Sequence, residues 1–135
     1  QARKPEVLRT LRERAIIQSV ESSNRIEGVV VPTERLRPLV RGKARPRDRP
    51  EQDLQGYRRA LDWVLGKGHA APFDARLIRH LHALAQQGAG DAGEFKRRDN
   101  EIVELLPRGG RRVRFVPTSA KQTPRAIDLL CDAYD

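Results

Sequence analysis

The sequence predicts a mainly α-helical domain with a single β-hairpin. Apolar residues recur near every 3.6 positions through most of the 135 residues. That period fails only at about 101–116, where two short apolar runs flank Pro107-Arg-Gly-Gly-Arg111. There is no internal repeat and no linker long enough to separate one domain from another, so one domain is expected over 1–135.

The first helix is predicted from about Pro5 to Glu27. Leu8, Leu11, Ala15, Ile16 and Val20 fall on one face and charges on the other. Pro5 suits a first turn and Gly28 a stop. Val29 to Val31 form an extended link into Pro32. Thr33 is the expected N-cap of a short helix burying Leu36, Leu39 and Val40, with Pro38 distorting it and Gly42 ending it. Lys43 to Pro50 alternates charge with two prolines and reads as an exposed, mobile loop. Such a basic loop can grip phosphate, but charge blocks of this kind are ordinarily solvated.

A third helix is predicted at about 51–66, with Leu54, Tyr57, Leu61, Val64 and Leu65 on its buried face and Trp63 packing beside them. Asp74 is the expected cap of a fourth at about 75–87, with Leu77, Ile78, Leu81, Leu84 and Ala85 inward. Gly88 to Gly93 is a loop. The strands are expected at Glu101–Leu106 and Arg112–Val116. A two-stranded hairpin is marginal alone in water, so it must lean on the helices or stand out as an arm. Thr123 is the expected N-cap of a last helix, with Pro124 at its first position and a stripe of Ile127, Leu130, Cys131 and Tyr134.

Composition narrows the function. Lys and Arg number 27 against 18 Asp and Glu, a formal charge of +9. That raises a polyanionic partner, nucleic acid included, as one reading, against a basic, Arg-rich composition with solvated surfaces as the other. Only one Trp, two Tyr and three Phe are present, and they are scattered, so no base-stacking platform is visible. There is no apolar run of membrane-spanning length, and no membrane partner is expected. The start lacks a signal-peptide core, and the one cysteine excludes an internal disulfide, so a reducing, cytoplasmic setting is expected. The chain contains no Met and stops within a helical pattern, as expected of a fragment.

No complete catalytic constellation and no metal site is read from the residues. His80 and His82 point to different sides of a helix, and His-Glu-x-x-His spacing is absent. Gly109-Gly110 lacks the lysine and hydroxyl residue of a phosphate loop. Cys131 reads as a structural thiol. The informative stretch is Ser22 to Gly28. Ser19, Ser23 and Glu27 are four apart and share a helix face. Glu27 falls in the last turn, where the macrodipole disfavours a carboxylate. It is either a tolerated surface residue or a carboxylate presented to an arginine elsewhere.

Ser23-x-x-x-Glu27-Gly28 resembles the inhibitory motif, (Ser/Thr)-x-x-x-Glu-(Gly/Asn), of Fic-domain proteins. Thr33-Glu34-x-Leu36 resembles the segment that follows it there. Leu77 to Leu84, with His80 and His82, resembles the helix leading to the family's Gly-x-(Phe/Tyr)-Arg turn, here Gly93-Glu94-Phe95-Lys96. The hairpin resembles the family's flap, closed by Phe115-Val116-Pro117, with Thr118 where a second Pro is frequent. The resemblance covers about 15–135. The active loop, His-Pro-Phe-x-(Asp/Glu)-Gly-Asn-(Gly/Lys)-Arg, is absent, and His69-Ala-Ala-Pro-Phe-Asp is only an echo of it.

The resemblance implies the N-terminal portion of a protein adenylyltransferase, which moves AMP from ATP, with Mg2+, onto a protein Ser, Thr or Tyr hydroxyl. It implies an inhibitory helix (1–28) in which Glu27 pairs with an arginine of the active loop, Ser23 holds it and Gly28 ends the helix. It implies a flap (101–116) in which Ile102, Val103, Glu104, Leu105, Val113, Arg114, Phe115 and Val116 dock the target by backbone pairing. The partners implied are the C-terminal remainder of the Fic domain and the protein substrate, and a homo-oligomer is left open. No catalytic residue is expected in this chain and no ATP bound tightly by it alone. The alternative is a non-catalytic basic helical module that binds nucleic acid or protein.

Overall fold

The computed structural model describes residues 3–134. The side chain of His69, the echo of a catalytic histidine, lies outside what is described. Among the described residues, five α-helices and one two-stranded antiparallel sheet make up the fold. They are α1 (Arg3–Ile26), α2 (Thr33–Val40), α3 (Arg49–Gly66), α4 (Ala75–Ala85), β1 (Ile102–Leu105), β2 (Arg111–Phe115) and α5 (Thr123–Asp132). A short 3-10 turn, Gly68–Ala70, joins α3 to the segment before α4.

The core is small and sits where α1, α2 and α3 meet. Ile16 and Val20 of α1, Leu36, Leu39 and Val40 of α2, and Leu54 of α3 are buried together. Ile17, Val31, Tyr57 and Leu61 pack at its margin. The three residues expected of α2 are thus all in place, and the helix runs through Pro38. The α1 stripe is shorter than its periodicity predicts. Leu8 and Leu11 are 65% and 55% exposed, and Ala15 is exposed as well. The apolar packing of α1 against α2 and α3 begins only at Ile16, while earlier in α1 the groove beside α3 is lined by Arg9, Arg12, Arg58 and Asp62. The next inward position after Val20 belongs to a polar residue, Asn24, whose amide donates to the Val20 carbonyl at 2.8 Å.

Helix starts differ from expectation in three places. Thr33 is the first helical residue of α2, not its cap. Pro32 takes that position with extended backbone (φ −52°, ψ 139°), and its carbonyl accepts from Arg35 and Leu36. Thr123 likewise lies inside α5. A turn at Ser119–Gln122 already feeds helical backbone into it, and the Thr123 hydroxyl donates to the Ser119 carbonyl at 2.8 Å. Helix α3 begins at Arg49, two residues early, because Asp48 caps it by accepting from the Glu51 N–H at 3.0 Å. Asp74 caps α4 as expected, accepting from Leu77 N–H at 2.8 Å. That backbone bond, chiefly, holds the Asp74 carboxyl below its ordinary range.

The loop before α3 is tied down. Arg35 grips Glu51 with two hydrogen bonds, at 2.9 and 2.7 Å, and also donates to the Arg45 carbonyl. Glu51 in turn accepts from the Arg47 N–H, and Gln55 donates to the Ala44 carbonyl. A buried carboxylate thus organises 44–51, where sequence suggested free movement. Helices α3 and α4 cross closely at Gly56, which is buried against the Ala85 backbone. Val64 and Leu65, expected inward on α3, are 39% and 47% exposed. Residues Leu77, Ile78, Leu81, Leu84 and Ala85 of α4 are half-buried. On α5 Cys131 is buried, but Leu130 and Tyr134 are largely exposed. The Tyr134 ring instead meets Phe73 in a tilted pair, 4.8 Å between centroids, fastening the end of α5 to the start of α4.

Candidate functional site

The end of α1 is a Schellman turn. Gly28 N–H donates to the Arg25 carbonyl at 3.0 Å and Val29 N–H to the Asn24 carbonyl at 2.8 Å. Gly28 supplies the left-handed backbone this needs, with φ +77°. Helix α1 ends at Ile26, so Glu27 is the capping residue just past the last turn rather than within it. Its side chain is exposed and makes no ion pair among the described residues. The neighbouring Arg25 is occupied by Glu21, one turn back. The chain therefore presents a carboxylate next to a helix's negative end, with no cation among the described residues paired to it.

Ser23 does not reach toward Glu27. Its hydroxyl is 2.9 Å from the Tyr57 hydroxyl of α3, half-buried. Ser23 therefore fixes the helix end on the body of the domain, and Glu27 follows from that anchor. Tyr57 and Asn24 are the two residues of this site that sequence reasoning missed. Asn24 carries a signal, as a polar residue continuing the Ile16–Val20 inward series. Tyr57 carries none, because its partner lies 34 residues away.

The hairpin is the second element. Strands β1 and β2 pair as Ile102↔Phe115, Val103↔Val113, Glu104↔Arg112 and Leu105↔Arg111. The register shifts between Ile102 and Val103, leaving Arg114 as the extra residue. Paired residues of antiparallel strands share a face, and faces alternate along each strand. Val103, Leu105, Arg111 and Val113 therefore share one face. Ile102, Glu104, Arg112 and Phe115 share the other, because the bulge carries Phe115 across. Glu104 pairs with Arg112 at 2.7 Å and Arg114 at 3.7 Å.

No helix packs against this hairpin among the described residues, so it stands out as an arm. Its exposure is high throughout, with Leu105 at 81% and Phe115 at 59%. The tip closes through Leu106 N–H donating to the Gly110 carbonyl, with Gly109 at φ +84°. Val116 continues beyond β2 and is also exposed. The hairpin and α1 are not packed together, so the docking and inhibitory candidates form two separate sites.

The Gly93 turn is built from α4. Gly93 N–H donates to His82 Nδ1 at 2.8 Å, and Arg79 Nε donates to the Gly93 carbonyl at 2.8 Å. The Arg79 guanidinium also lies 5.3 Å above the Phe95 ring. His82 is thus an acceptor for backbone, and His80 packs edge-on to Trp63 at 4.7 Å. Neither histidine bonds a nucleophile or a carboxylate among the described residues. Nor, among those residues, are three His, Cys, Asp or Glu side chains grouped to hold a metal ion. The Gly109-Gly110 turn leads into a strand, not a helix N-terminus, and makes no phosphate cradle. These residues do not by themselves fit ATP with Mg2+. Among the described residues no helix is long and apolar enough to cross a membrane.

A scan against protein-family models finds no match to this chain, and a comparison with curated proteins finds no relative.

Proposed function

We propose that this chain is the N-terminal portion of a Fic-type protein adenylyltransferase, bearing its inhibitory helix and target-docking flap. One observation carries the reading: an exposed Glu27, unpaired among the described residues, at a Schellman-closed helix end that Ser23 and Tyr57 anchor to α3. A carboxylate so held can meet an arginine of an active loop in a bidentate pair. When that pair forms, the arginine is withheld from the nucleotide's phosphates. ATP and Mg2+ would be held by residues outside this chain. The flap adds a protein segment, carrying the Ser, Thr or Tyr to be modified, as a further strand.

The test is labelling with radioactive ATP. The 135-residue chain alone transfers no AMP. In the longer polypeptide that carries a His-Pro-Phe loop, Glu27→Gly raises labelling while Glu21→Ala, further back on α1, does not. Unchanged labelling by Glu27→Gly in a protein that still needs its loop histidine would sink the inhibitory role.

The second reading is a non-catalytic basic module binding nucleic acid or protein. The exposed Arg97, Arg98, Arg108 and Arg111 around the hairpin favour it. Salt-sensitive retention on DNA, without any AMP transfer by the longer polypeptide, would select it.

A further inference from the structure

We infer that the hairpin selects an acidic, extended peptide, and that it reads the direction of that peptide. The inference rests on the reading of the hairpin as a docking flap and adds the chemistry of its partner. Between Ile102 and Phe115 stand four arginines and one carboxylate, Glu104. Glu104 is spent on Arg112 and Arg114. Arg108 and Arg111 make no ion pair among the described residues, and both are exposed. They lie at the tip, and Arg111 sits opposite Leu105.

The face that carries Arg111 is therefore graded. Toward the root it is aliphatic, with Val103 opposite Val113, 37% and 46% exposed. Toward the tip it is cationic. Strand β2 pairs with β1 alone among the described residues, so its outer edge offers unpaired backbone groups. A strand added there antiparallel to β2 runs from root to tip. Its residue beside Val113 is apolar, and its residue two positions later lies beside Arg111. The pattern that fits is apolar-x-(Asp/Glu), with a second acid two residues on for Arg108. A nucleic acid would match the arginines but leave Val113 in water, whereas an alternating acidic peptide on the outer edge of β2 lies beside both Val113 and Arg111.

The test titrates the full 135-residue chain with fluorescent octapeptides at low salt. The first reads Thr-Val-Thr-Val-Thr-Glu-Thr-Glu, the second has the reverse order, and the third has Lys for Glu. A 15-mer of thymidine is the fourth probe. The first peptide binds best, the lysine peptide about tenfold more weakly, and the reversed peptide falls between them. Amide shifts are confined to Arg108–Val116. The double variant Arg108→Glu/Arg111→Glu inverts the preference between Glu and Lys peptides, with the Val103–Val113 cross-strand contact retained by NMR as proof of an intact hairpin. No peptide binding, equal binding of the Glu and Lys peptides, shifts centred elsewhere, or tighter binding of thymidine at these residues each overturns the inference. None of these readouts needs AMP transfer. Peptide selectivity without transfer by the longer polypeptide would therefore sink the enzyme reading and leave this one standing.

Discussion

The hydroxyls of Ser23 and Tyr57 meet at 2.9 Å across the α1–α3 contact, one turn before the chain leaves α1. This is the only side-chain hydrogen bond between those two helices among the described residues, and it lies beside the buried Asn24.

Removing either hydroxyl leaves the other half-buried and unsatisfied. Ser23→Ala and Tyr57→Phe are each expected to cost about 1 kcal/mol. The double variant costs less than the sum, because neither orphan remains. Urea denaturation of the four proteins checks this, and strict additivity would show that the two hydroxyls are not coupled.

Glu51 is held at a pKa of about 2, chiefly by the hydrogen bonds from Arg35, against burial, which acts the other way. Its folded pKa is depressed, so its stabilisation is complete above the unfolded value near 4.5 and fades as pH falls toward about 2. Glu51→Gln is expected to be less stable than wild type at neutral pH and to converge with it across that window. Thermal unfolding between pH 7 and pH 2 is the measurement, and a constant difference between the two proteins would count against the pair.

At Gly56 an added Cβ would lie 1.8 Å from the Ala85 carbonyl oxygen and 2.7 Å from its carbon. Both atoms are backbone and cannot swing aside. Gly56→Ala is expected to cost about 3 kcal/mol, through forced separation of α3 and α4. Gly66→Ala, in the same helix with open space around it, should be neutral or gain up to about 1 kcal/mol. Equal effects at the two sites would mean the helices do not cross at Gly56.

Gly28 has φ +77° and open space around it, so conformation alone limits replacement there. Gly28→Asn is expected to lower stability by a few tenths of a kcal/mol, roughly, and Gly28→Val by about 1–2 kcal/mol. Chemical denaturation separates them, and indifference to valine would exclude the Schellman turn.

Much of this was legible in the residues. The period of α2, the Asp74 cap and the Pro-Arg-Gly-Gly-Arg turn each fix a local geometry that few competitors share. What stayed hidden depends on partners distant in sequence. Leu8 and Leu11 look like core until the fold leaves them uncovered, where α1 meets polar residues of α3 instead of an apolar face. Arg35 and Glu51 are 16 residues apart, and charge alone does not say which arginine of so many takes the carboxylate. The Asp48-Arg-Pro-Glu51 start of α3 did carry its signal, a cap followed by proline and an acid, overshadowed by the basic loop around it. At the candidate site, Gly28 was legible as a stop and Glu27 as an oddity. The anchor through Tyr57 was not.

At the root of the hairpin the Asp99 carboxylate accepts from the Ala120 N–H at 2.6 Å, drawing together two points 21 residues apart. Everything between them leaves the helical body and returns to the place it left. Such a segment is a cassette. Among the described residues the strands within it touch no helix, so side chains of 102–115 can change while the helical scaffold stays constant. Under the docking proposal, transplanting 102–115 onto another scaffold should carry partner choice with it.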